Sequence, residues 1–93
     1  MYVAKPSSRY KKSFKHVSQY PSFVAEDLDE VVIKLTRDVP LESHYRDHEL
    51  KGTYKGIREC HIRGDLLLLY QKKENILILL LIDIGTHASI FGK

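Results

Sequence analysis

The second half of the chain gathers the residue types that move protons. His48 stands in YRDHELKG, His61 and Asp65 in RECHIRGD, and His87 in GTHASIF. Imidazole changes charge near neutral pH, so each histidine can accept a proton from a reacting group or donate one to a leaving group. If residues 57–63 are extended, Glu59, His61 and Arg63 project from one face of the strand, and Arg58, Cys60 and Ile62 from the other. An acid, an imidazole and a guanidinium on one face suit phosphodiester cleavage. That reaction needs a base to deprotonate a 2′-hydroxyl, a cation for the phosphorane and an acid for the leaving oxygen. Other chemistries find no support. There is no Gly-rich phosphate loop, no H-E-x-x-H and no G-x-S-x-G, and one cysteine excludes C-x-x-C. Three histidines with Asp65 lack a fixed ligand spacing, so neither a metal nor another cofactor is expected. Cys60 reads as a small core residue rather than a nucleophile, and His16 and His44 receive no role.

The elements that must hold these residues follow from punctuation and periodicity. Tyr2 to Lys5 forms a short strand closed by Pro6. Ser7 or Ser8 can then cap a helix whose Tyr10, Phe14, Val17 and Tyr20 make one apolar stripe. Pro21 stops that helix and Ser22 can cap a second, in which Val24, Leu28, Val31, Val32 and Leu35 share a face. Its acids crowd the first turns and Lys34 and Arg37 the last, as the helix dipole favours, and Val39-Pro40 ends it. Residues 41–56 read as a loop broken by Gly52 and Gly56. Three strands follow: Ile57 to Arg63, Leu66 to Lys72 and Ile76 to Ile84, with turns at Gly64-Asp65 and Glu74-Asn75. The last strand is nearly all apolar, as one buried on both faces would be. Thr86 to Lys93 is left as a short tail. The expected fold is α+β: two N-terminal helices on a mostly antiparallel sheet of four or so strands, in the order β-α-α-β-β-β, forming a single domain over residues 1–93. The second face of that sheet stays open or meets a ligand or partner.

Composition narrows the partners. The 93 residues carry 15 basic and 12 acidic side chains, a formal charge of +3, but the charges are segregated. Lys5, Arg9, Lys11, Lys12 and Lys15 form a stretch without acids, Glu26, Asp27, Asp29 and Glu30 one without bases, and residues 46–63 are basic again. Segregated positive surface attracts a polyanion, with nucleic acid the first candidate. The longest apolar run, Ile76 to Ile82, is far short of the ~20 residues of a membrane span. The start shows no secretory pattern, so a cytoplasmic protein with no membrane partner is expected.

The blocks YRDHELKGTYKGIRECHIRGDLLLLY and GTHASIFG resemble the YafQ branch of the RelE-like bacterial toxins, over residues 45–92 in matching order and spacing. The resemblance implies an endoribonuclease that cuts messenger RNA on the ribosome by metal-free acid–base chemistry, held inactive by a cognate antitoxin. By the same resemblance His48, His61, Asp65 and His87 are the acid–base set, with His87 the general acid and the base left open among the others. Phe91 matches an aromatic that helps place the RNA. Lys51, Lys55 and Arg63 are assigned to the RNA backbone by charge and position. The chain departs from the family at Asp83, where an arginine is usual beside the transferring phosphate. Arg63 or Arg58 is a candidate for the missing charge. The alternative reading that follows from Asp83 is a weakened toxin-fold protein that binds antitoxin or RNA without cutting. Gly64 for a frequent proline and Leu66 for a frequent tryptophan are milder departures.

Overall fold

A parallel strand pair opens the fold. In the computed structural model, which describes residues 1–92, β1 (Val3–Pro6) runs beside β5 (Ile78–Gly85), pairing Val3 with Ile78 and Pro6 with Leu81. Pro6 has no N–H to give, which an edge strand tolerates. The sheet continues through β4 (Leu66–Lys73), β3 (Arg58–Arg63) and the two-residue β2 (His48–Glu49), in the order β1-β5-β4-β3-β2. All pairs but the first are antiparallel.

Helix α1 (Ser8–Val17) begins at Ser7, whose hydroxyl accepts from the Tyr10 amide, so Ser7 and not Ser8 is the cap. The helix ends at Val17, short of the exposed Tyr20. Helix α2 (Ala25–Thr36) starts three residues past the expected Ser22 cap and has no side-chain cap at all. Glu26 and Asp27 in its first turn compensate by facing the unpaired amides' positive end. It ends before Val39-Pro40, at a turn in which Asp38 is left-handed (φ 58°).

Both helices cover one sheet face. Tyr10 and Val17 from α1 and Leu28, Val31 and Leu35 from α2 pack on Cys60, Ile62, Leu68, Tyr70, Leu79, Leu81 and Ile84. The other face is smaller and carries Leu67 and Leu69. Two features of that face were absent from the sequence reading. The residues read as a tail form α3 (His87–Phe91), capped reciprocally by Thr86 and Ser89, and the 41–56 loop folds into 3₁₀ turns at Ser43–Tyr45 and Gly52–Tyr54 around β2. Among the described residues the count is therefore five strands and three α-helices. Ile76 and Leu77 lie exposed in the turn before β5, with Leu77 left-handed, so apolarity alone extended that strand too far.

Candidate active site

The pairing register lays out the second face. His48 stands opposite Glu59, Glu59 opposite Leu69, and Leu69 opposite Asp83. In the neighbouring row His61 faces Leu67, and Leu67 faces Gly85. Paired residues point to the same side of a sheet, so the strand alternation expected for Glu59 and His61 places both here. Helix α3 folds back over the end of this face. A Cβ at Gly85 would collide with Ser89 Oγ, so glycine is what lets α3 come so close. Ile90 seals the contact against Leu67 and Leu69, with Phe91 at its margin.

That return brings His87 to His61, their ring centres 6.0 Å apart. His87 Nδ1 lies 3.2 Å from Asp65 Oδ1. A carboxylate only accepts, so Nδ1 carries the hydrogen and Nε2 is left for a substrate. Asp65 sits in the β3–β4 turn, where Gly64 is left-handed (φ 55°). Proline is fixed near −65° and cannot adopt that angle, so the glycine belongs to this chain's own turn geometry.

Glu59 is 4% exposed and lies between two imidazoles: its Oε1 is 3.5 Å from His48 Nε2 and 3.7 Å from His61 Nε2. A buried carboxylate is costly unless positive charge or donors meet it, so Glu59 draws both rings toward it. His48 is further fixed by its Nδ1, which donates to the Arg46 carbonyl at 2.6 Å. The tether needs Arg46 in the left-handed region (φ 51°). Asp47 anchors the same loop from the helix side, accepting from Tyr70 Oη at 2.5 Å and Arg58 Nε at 3.2 Å. Burial and the bond to Asp47 push the Tyr70 hydroxyl above its ordinary range, so it stays a donor.

The remaining expected residues divide. Phe91 lies tilted 5.9 Å from His87 and meets Tyr54 edge-on at 5.3 Å. Lys51 and Lys55 are exposed and bracket the turn that carries Tyr54, and neither forms an ion pair among the described residues. Arg63 departs from the expected face. A register shift between His61 and Arg63 breaks the alternation, and Arg63 Nε pairs with Asp27 of α2 at 3.0 Å. Arg58 is held by Asp47, while Arg63, tied to Asp27, borders the same cleft as His61. Asp83 is also not the free anion expected: it is 3% exposed and paired with Arg9 Nε at 2.8 Å. Cys60 is fully buried and its thiol is pushed up to about 12 by that burial, which leaves it inert. His61 also lines an open polar cleft of about 480 Å³ with Asp27, Glu30 and Arg46. Among the described residues no three His, Cys, Asp or Glu side chains converge on a point that would hold a metal. Sequence reasoning overlooked Tyr54, whose one signal is an aromatic set between Gly52 and Gly56, and Tyr70, which it placed in a strand without a role.

Known proteins resemble this chain in sequence and fold. The profile of the family described as the bacterial toxin of type II toxin–antitoxin system, YafQ, matches residues 2–92. The mRNA interferase toxin YafQ of Escherichia coli is 34% identical over 62 residues, covering 67% of this chain and 65% of that protein. The chain spans only 36% to 65% of the length of the curated relatives it matches. Among solved structures, the metal-bound toxin of Helicobacter pylori superposes with a TM-score of 0.90 at 37% identity, covering 98% of this chain and all of that one. The E. coli DinJ–YafQ complex gives 0.86 at 27% identity, covering 99% and 100%.

Proposed function

The chain belongs to the YafQ family of bacterial type II toxins, and from that premise we propose that it is an endoribonuclease that cuts messenger RNA, acting on the ribosome and held by a cognate antitoxin. The observation that carries this reading is the pairing of His87 with Asp65 directly across from His61, with Glu59 buried behind His61. Two imidazoles 6.0 Å apart reach one phosphodiester from two sides.

In the proposed reaction His61 takes the proton of the 2′-hydroxyl, and Glu59 stabilises the imidazolium that forms. The alkoxide attacks the adjacent phosphorus and the P–O5′ bond breaks, leaving a 2′,3′-cyclic phosphate. His87 gives its Nε2 proton to the departing 5′-oxygen. Asp65, bonded at Nδ1, fixes the tautomer and orientation of that ring. His61 is assigned as base because His48 has one nitrogen committed to Arg46 and the other turned to Glu59. His61 Nδ1 makes no hydrogen bond among the described residues. His48 then orients the phosphate, Phe91 and Tyr54 offer a stacking surface for a base, and Lys51 and Lys55 meet the backbone. Acid and base are both imidazoles, so the reading calls for no metal. The reading as a binder without cleavage rests on Asp83 standing where the family carries an arginine; Arg9 on that carboxylate offsets its negative charge.

An antitoxin partner is proposed because the related E. coli toxin is seen in complex with DinJ. An acidic and apolar segment, ordering as it binds, would cover the histidine face. The cytoplasm, where translated message is found, is the proposed location. Among the described residues no helix is long and apolar enough to cross a membrane. The test is induced expression of the chain and of His87→Ala in a bacterial host, with growth followed and new 5′ ends mapped on a translated message. Growth arrest with cleavage from the unmodified chain alone is the expected result. Cleavage by both, or by neither although both fold, overturns the reading.

A further inference from the structure

The pair formed by Arg9 and Asp83 joins residues 74 positions apart and is built asymmetrically. The Asp83 side chain is 4% exposed and that of Arg9 is 63% exposed. Both carboxylate oxygens are held, Oδ1 by the Ile84 amide at 2.9 Å and Oδ2 by Arg9 Nε at 2.8 Å. A guanidinium has five N–H donors, and this contact uses the one on Nε, so four remain outside it.

The topology explains how a helix residue reaches this face. β1 pairs with β5 only as far as Leu81, so no strand borders Ile82 to Gly85 on that side. Helix α1 closes the gap, with Ser7 Oγ donating to the Ile82 carbonyl at 2.7 Å. A bulge at Ile82 sets Asp83 opposite Leu69, in the row that runs on through Glu59 to His48. Asp83 thus lies two strands from Glu59, about 10 Å away. Lys51 and Lys55 stand on the opposite rim, while Arg58 and Arg63 are tied to carboxylates elsewhere. Arg9 is therefore a cation of the β5 rim, where the exposed Lys5 of β1 is also found.

We propose that Arg9, aimed by the buried Asp83, binds an RNA phosphate flanking the scissile one, so that the substrate backbone crosses the histidine face between Arg9 and the two lysines. Asp83 acts as a positioning residue: it fixes the guanidinium before substrate arrives, so a phosphate is met without further rearrangement. The inference rests on the RNA-cleavage reading above.

The test compares cleavage of a message in a reconstituted translation reaction by the unmodified chain and three variants, each checked for folding by its thermal transition. Arg9→Ala with Asp83→Asn removes both charges without stranding a buried carboxylate. Arg9→Gln keeps a donor toward Asp83 without the charge. Both should cut about 10- to 100-fold more slowly, the low end of what one lost electrostatic contact costs at a reacting phosphate, because Arg9 is largely exposed. Arg9→Ala with Asp83→Arg moves the guanidinium onto β5 and should recover most of that loss. Folded variants that cut as fast as the unmodified chain overturn the inference and leave the cleavage reading standing. A folded, unmodified chain that cuts nothing overturns the cleavage reading, and the inference falls with it.

Discussion

The two faces of the sheet are made by different rules. On the helix side, α1 and α2 bury Leu68, Leu79, Leu81, Ile84 and Tyr70 under long amphipathic stripes. The polar groups that enter this layer, Tyr70 and Arg58, converge on Asp47. On the other side, short elements do the covering: α3, with Leu50 and Ile57 from the loop around β2, packs on Leu67 and Leu69 and leaves His48, His61 and His87 around an opening. The helix face is held by area removed from water, which is indifferent to the order of its residues so long as the volume fits. The histidine face is held by a few directed contacts, each of which depends on a particular atom. Stability is therefore concentrated on one face and chemistry on the other.

Substitutions that act on one face alone test this division. His87→Ala should lower message cleavage by ~10²–10⁴-fold, the range for losing a general acid, with a thermal transition close to that of the unmodified chain. A matching loss of stability would mean that α3 is structural as well. Leu79→Ala on the helix side should cost ~2–5 kcal/mol in denaturant unfolding, because Leu79 is fully buried. At a temperature where the variant remains folded it should still cut, and a variant that folds without cutting would show that the faces are coupled.

Tyr70→Phe tests a place where they meet. It removes the hydroxyl that holds Asp47 beneath the His48 loop, a loss of about 1–3 kcal/mol for a buried donor to a carboxylate. It should also slow cleavage several-fold, which a purely structural bond would leave unchanged. Cys60 gives a smaller signal. Burial holds its thiol up at about 12, so alkylation near pH 8 should proceed only after unfolding; modification of the folded protein would contradict the packing of the helix face. The smallest effect belongs to the periphery. The Lys72 ammonium lowers the Asp38 carboxyl, and the Lys34 ammonium lowers Glu42. A depressed carboxyl stabilises the fold above its unfolded value and loses that effect as pH falls through the folded one. Asp38→Asn and Glu42→Gln should thus differ slightly from the unmodified chain at neutral pH and converge with it in acid unfolding.

How far the sequence could be read depended on the range of the interaction involved. The α1 stripe of Tyr10, Phe14 and Val17, the three long strands and the shared face of Glu59 and His61 were legible, because helix and strand periods are local and burial enforces them. Legibility ended where the local signal was weak. A five-residue helix at His87–Phe91 has too few turns to show a period, and the Ser22 cap failed because α2 is set by what Leu28 and Val31 pack against. Arg63 left its face because one irregular residue in β3 overrides alternation, and nothing in RECHIRGD marks it.

The sequence by itself determined which residue types could move protons, which faces were apolar, and where helix gave way to strand. Only the tertiary structure decided that His87 meets Asp65 across 22 positions, that Glu59 lies between His48 and His61, and that Arg9 reaches Asp83 across 74. The physical reason is that periodic burial is encoded in neighbouring residues. A directed contact between distant side chains exists only after the sheet register and the helix packing have brought their atoms within hydrogen-bond reach.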